Sequence, residues 1–190
     1  MPDRFFFPLM LLLIVGMVWV ATWRDTDACP TGSVSAANTD YRTIKVSDIQ
    51  LNRFISGDKV EQTPCNANEP YLLGLRALTP DLPVNVDVGP HFRIAPDIEV
   101  AFSGRSIRIL VRARAGQING AAGFEVNYLT GPEGESGWQR FDLTDTFQDY
   151  EFQYAVPEAG QEQGVDFLGI RPITAQQTNS MEIESVTFLR

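Results

Sequence analysis

The sequence predicts an all-β domain, an antiparallel β-sandwich, carried behind one N-terminal transmembrane helix. Three observations lead there. An uncharged apolar run occupies Phe5 to Trp23. Residues Ser106 to Arg114 alternate apolar and polar with period two. Short apolar segments beyond Tyr41 are separated by glycine-, proline- and asparagine-rich turns at the roughly 8–12-residue spacing of sandwiches.

The apolar run is FFFPLMLLLIVGMVWVATW. As a helix it spans about 28 Å, close to the hydrocarbon thickness of a bilayer. Pro8 falls in the first turn, where a missing amide costs little. Trp19 and Trp23 sit near the outer end, where indoles favour the interface. Residues 1–4 then form a short cytoplasmic N-terminus, and the run 5–23 is the partner of the lipid bilayer. A cleaved signal peptide and a lipoprotein signal ending at Cys29 are the competing readings. Trp23 spoils the nearest small-residue cleavage pattern. Residues 24–40, RDTDACPTGSVSAANTD, are small, polar and aperiodic, and read as a spacer.

Cys29 and Cys65 are the only cysteines. They have neither metal-ligand spacing nor a C-x-x-C motif, so a disulfide is the economical reading, with two unrelated buried thiols as the alternative. A disulfide requires an oxidising compartment. That places the C-terminal domain outside the cytoplasm, periplasmic, on a single-pass inner-membrane protein.

The domain at 41–190 reads as strands. Ile107, Ile109, Val111 and Ala113 share one face of the clearest one; Arg108, Leu110, Arg112 and Arg114 share the other. Phe124, Val126 and Tyr128 alternate with Glu125 and Asn127. Further strands are expected at 138–143, 147–156, 165–173 and 181–189, and earlier at 41–49, 71–78, 84–88 and 98–102. Tyr150, Phe152 and Tyr154 share the parity of a core face, whereas Trp138 and Arg140 share the parity opposite to Phe141 and Leu143. No stretch carries enough helical periodicity to assign a helix in the domain.

The chain has 190 residues and a net charge of -9. Such an acidic chain is repelled by nucleic acid, which is not an expected partner. One histidine, His91, excludes a multi-histidine metal site. There is no G-x-S-x-G elbow, Walker loop or H-E-x-x-H motif, and no enzyme is expected.

Three stretches carry a resemblance. They are Trp138-Gln-Arg-Phe141-Asp-Leu143-Thr with Phe147, Tyr150 and Phe152 after it; Asp166-Phe-Leu168-Gly169-Ile170-Arg-Pro172; and Met181-Glu-Ile183-Glu184-Ser-Val186-Thr-Phe188. Together they resemble carbohydrate-binding-module-like jelly rolls of the galactose-binding-like superfamily, well over 106–190 and poorly over 41–105. The resemblance implies a jelly-roll sandwich and a non-catalytic carbohydrate-binding module at the cell envelope, with envelope polysaccharide as ligand. The alternative is an accessory subunit that contacts a partner protein of a membrane complex. Trp138 and Arg140 are the candidate sugar contacts, and Arg108 and Arg112 the candidates for anionic glycan groups. The competing role for the arginines is a solvated sheet face paired across to Glu125 and its neighbours. Members of the superfamily can carry a structural calcium on an acidic residue of the last strand. Glu184 occupies that position, with Asp48 as a conceivable partner. Two carboxylates do not make a calcium site, so no cofactor and no metal ligand is assigned.

Overall fold

The structure is a computed structural model. It describes residues 3–24, 29–36, 40–67, 69–158, 160, 165–174 and 179–190, without the side chains of 3–6, 9 and 19–24. A helix α1 (Asp3–Arg24) precedes the domain. Strands β1 (Thr43–Ser47), β2 (Val60–Gln62), β3 (Leu73–Ala77) and β4 (His91–Arg93) come next, with a 3-10 helix (Asp48–Arg53) after β1. A short helix α2 (Pro96–Phe102) leads into β5 (Ser106–Ala115), β6 (Gly123–Thr130), β7 (Gly134–Glu135) and β8 (Gln139–Asp142). Strands β9 (Gln148–Ala155), β10 (Asp166–Pro172) and β11 (Ser180–Leu189) follow.

Two antiparallel sheets form a sandwich. The first runs β2-β3-β11-β5-β9, with β1 pairing β11 beside β3; the second runs β4-β10-β6, with β7 and β8 both on the free side of β6. The period-2 faces explain the stacking. Ile107, Ile109, Val111 and Ala113 of β5 are fully buried. Phe124, Val126 and Tyr128 of β6 meet them from the second sheet and are equally buried. A large apolar side chain buried in this way contributes about 1.5–3 kcal/mol on leaving water. Phe124 stacks on Phe141 at 5.4 Å and meets Tyr150 edge-on at 5.2 Å, which fixes β8 and β9 across the same core.

Three expectations fail in this part of the chain. Residues 98–102 are helical. Pro96 opens the helix, where its fixed φ suits the first position, Asp97 and Glu99 lie in the first turn, and Ile98 and Phe102 form its buried stripe. Residues 84–88 form turns instead of a strand: Asn85 O accepts a hydrogen bond from Gly89 N, Val86 is buried, and Val84 and Val88 are exposed. Residues 29–36 of the expected spacer belong to the domain. Val34 and Ala36 are buried. Val34 pairs with the Ile94 region through Val34 N–Arg93 O at 2.7 Å and Ala95 N–Val34 O at 2.8 Å. Asp97 accepts the Ala36 amide, and Arg53 donates to the carbonyls of Thr31 and Ser33. Two apolar side chains in a polar stretch suffice to dock it, because its backbone groups find partners on β4 and the 3-10 helix. Residues 25–28 and 37–39 of the expected spacer lie outside the described residues.

Cys29 and Cys65 are bridged, as expected. Phe7 and the described side chains from Met10 to Val18 of α1 are exposed. Among the described residues no helix is long and apolar enough to cross a membrane. The anchor expected at 5–23 falls partly on side chains outside the description.

Candidate functional site

The four residues singled out for sugar contact do not converge. Arg108 and Arg112 lie on the outer face of the first sheet, and Trp138 and Arg140 on the outer face of the second. The arginine ladder is neutralised across its own strands. Arg108 meets Glu151 at 3.7 Å, Arg114 meets Glu182 at 2.6 Å, and Arg112 meets Asp149 at 3.4 Å and also Glu184. The carboxylates, Glu184 first, hold the Arg112 guanidinium above its ordinary pKa. The exposed pairs of Arg108 and Arg112 are worth little individually, and Arg114–Glu182 is partly buried, yet all leave these arginines paired. Glu125, expected opposite this ladder, belongs to the other sheet and pairs with Arg171.

Trp138 points away from the core, as its parity indicates, and is partly covered. Its indole N–H donates to Val84 O at 2.9 Å. The Arg171 guanidinium lies 3.9 Å from the ring centroid. The ring edge reaches over Gly169, where a Cβ would stand 3.0 Å from Trp138 and 2.9 Å from Val86. Glycine is therefore required at 169 by close approach. Arg171 also donates to Glu125 at 2.9 Å and to Pro83 O at 2.6 Å. The cluster binds the 79–89 segment down onto the second sheet. Arg140 stands beside it, opposite Glu125, and is exposed.

A buried carboxyl lies at the far end of the same sheet. Asp166 is 2% exposed and accepts the Tyr128 hydroxyl at 2.8 Å. Burial first, against the Tyr128 hydrogen bond and with lesser help from Glu99 and Glu133, raises its pKa from 3.8 to about 6. Because only the fold disfavours its ionised form, this group contributes stability while protonated and loses it as pH rises through about 6. Asp166→Asn should remove that dependence. Urea titrations should show the variant gaining about 3 kcal/mol on wild type between about pH 3 and pH 8. A pH-independent difference would show that the carboxyl titrates normally. His91, buried and held below its ordinary pKa chiefly by desolvation, is present in both proteins and cancels.

The open surface lies elsewhere. A hollow of about 410 Å³ runs over the β2-β3-β11 end of the first sheet onto the 116–118 turn. A second, of about 310 Å³, continues it toward Tyr71 and Arg114. The two share Thr63, Pro64, Gly74, Gln117 and Glu182, so they form one groove. Both volumes fall in the range of small-ligand sites. Side-chainless Gly74 leaves the floor low, with Thr63 Oγ1 over it. Two guanidinium–carboxylate pairs line it, Arg76 with Glu61 and Arg114 with Glu182. The Arg114 guanidinium lies over Phe147 at 4.5 Å. Gln62 Oε1 is buried beside the groove with no hydrogen-bond partner among the described residues. Sequence reading missed these residues because they come from four segments. The one available signal was Gly74 inside a strand pattern, which marks close approach. Among the described residues, no group of three or more His, Cys, Asp or Glu side chains is placed to hold a metal ion. Glu184 is taken by Arg112, and Asp48 accepts the Tyr71 amide.

No family model matches the sequence. No curated protein matches it either. Among solved structures, a CBM4 module is similar at 15% identity over 85% of this chain and 99% of that one, with a TM-score of 0.48. The C-terminal CBM6 of the laminarinase LamC from Zobellia galactanivorans is similar at 13% identity over 78% and 99%, with a TM-score of 0.44. A cyclase from Fischerella sp. TAU is similar at 12% identity over 85% and 82%, with a TM-score of 0.41. At these scores the likenesses carry no inference about ligand or activity.

Proposed function

We infer that the protein is a glycan-binding module held at the outer face of a membrane. The groove over β2, β3 and β11 carries this reading. A sugar hydroxyl both donates and accepts a hydrogen bond. The groove offers carboxylate and guanidinium side by side twice, at Arg76–Glu61 and Arg114–Glu182, above a low floor. Tyr71, the ring in the lining, is buried, so hydrogen bonding rather than ring stacking provides recognition. Two further observations support the setting. The exposed apolar side chains of α1 between Met10 and Val18 suit contact with lipid, and the Cys29–Cys65 disulfide suits an oxidising compartment. Exposed Leu78, Val84 and Val88, close together in sequence, favour a second reading, an accessory subunit docked on a partner protein.

One preparation tests both readings. Full-length protein should stay with membranes after carbonate washing, and those membranes should retain oligosaccharides from a mixed panel. Arg76→Ala and Glu182→Ala should each weaken retention about tenfold, the loss expected for a charge-assisted hydrogen bond. Trp138→Ala should leave it unchanged in protein that is still folded. Carbonate extraction into the supernatant defeats the anchor. Failure to retain any glycan defeats the binding reading. Loss of a native-gel complex on changing Val84 and Val88 to serine would then favour the accessory role.

A further inference from the structure

We propose that the groove selects glycans bearing free amino groups, such as de-N-acetylated glucosamine polymers, over neutral and acidic ones. The proposal rests on the glycan reading above and follows from which groups in the groove are already engaged. Both cations in the lining are engaged. Arg76 directs Nε and Nη2 at Oε2 of Glu61. Arg114 directs Nε and Nη2 at Oε2 of Glu182 and lies over the Phe147 ring. Each guanidinium is neutralised by the carboxylate beside it, so an incoming carboxylate or sulfate meets no net positive charge.

The carboxylates outnumber the cations. Each pair engages a single carboxylate oxygen, and Oε1 of Glu61 and of Glu182 has no partner among the described residues. Glu69, exposed on the groove wall, has no ion-pair partner among them. Three carboxylates, Glu61, Glu69 and Glu182, face two arginines, so the lining carries one net negative charge. It lies on a protein of net charge -9. A lining whose carboxylates outnumber its cations matches a ligand that brings positive charge. A protonated sugar amine offers three N–H donors and the complementary charge, whereas its N-acetyl form offers one donor and none of the charge. Uronic-acid chains meet repulsion.

Calorimetry on the full chain in neutral detergent decides the matter. The probes are glucosamine oligomers, N-acetylglucosamine oligomers of matched length, oligogalacturonate and oligolysine. The glucosamine oligomer should bind about tenfold more tightly than its acetylated form, the sum of a few partly exposed ion pairs. The preference should shrink with added salt and vanish above the pKa of the sugar amine. Glu69→Gln should cut the preference about threefold without moving the melting temperature. Equal affinity for acetylated and free-amine oligomers, or tighter binding of oligogalacturonate, overturns the proposal while leaving the glycan reading standing. Oligolysine binding as tightly as the glucosamine oligomer overturns it as well, since charge alone would then account for the selectivity. Absence of binding to every sugar overturns both.

Discussion

Arg171→Ala should lower the unfolding free energy by about 2–3 kcal/mol, less than for a fully buried ion pair because both partners keep some exposure. The side chain is 15% exposed and its partner Glu125 27%. Removing the guanidinium strands a half-buried carboxylate on β6 and frees the carbonyl of Pro83 from its donor. It also uncovers the Trp138 ring. Trp138→Ala should cost less than the loss of about 3–5 kcal/mol for a core tryptophan, because the ring is only half-buried. The two losses should not add, because each change dismantles the same cluster. Chemical unfolding of both single variants and the double variant measures the coupling. Full additivity would show that the ring and the guanidinium act separately. Glu125→Gln with Arg171→Met tests whether the charge itself matters. That pair should recover part of the loss, because no unpaired carboxylate remains.

Cys29→Ser with Cys65→Ser should cost about 4 kcal/mol if chain entropy alone is counted for the 36-residue separation. The docked segment between them tempers that figure. Val34 and Ala36 are buried, and Arg53 holds the carbonyls of Thr31 and Ser33. These contacts are native interactions and survive the substitution, so the segment should remain ordered while the unfolded chain gains freedom. Urea unfolding should therefore show a lower midpoint, with the slope altered by a more expanded denatured state. Cys65 also adjoins Thr63, Pro64 and Asn66 of the groove wall. Glycan affinity measured on the same variant reports whether the bridge holds that wall. A midpoint identical to wild type would show that the docked segment alone closes the loop.

Much of the sandwich was legible because its strands alternate cleanly. On β5 the alternation places Ile107, Ile109, Val111 and Ala113 on one face, and all are fully buried. The same logic failed at residues 98–102. Seven residues give a helix too few turns to show its period, and Ile98 and Phe102 read equally well as strand positions. The outward direction of Trp138 was also legible from parity. The partial cover over it was not, because that depends on Arg171 two strands away and on a covering segment that pairs with nothing in sequence. The arginine ladder was legible as a face, but its neighbours were misassigned. The acids opposite it are Asp149 and Glu151 of β9 and Glu182 and Glu184 of β11, because strand order across a sheet is not written locally. The groove was the least legible part, since β2, β3, the 116–118 turn and β11 meet only after the sheet is assembled.

The place of β11 in the first sheet bears on how the protein is made. Residues 180–189 lie between β5 on one side and β1 with β3 on the other. Synthesis delivers this strand after every neighbour it joins. Until then β1 and β3 have no hydrogen-bonding route to β5, and their inner faces, Ile44, Val46, Leu73 and Leu75, have no completed sheet to pack within. Those edges stay open for as long as residues 180–189 are unavailable to pair. The chain acquires its first sheet in one late closing step that reaches back from Leu189 to Thr43. Such long-range pairing is slow and exposes sticky strand edges meanwhile. The demand on holding chaperones thus falls in the interval before residue 189 emerges.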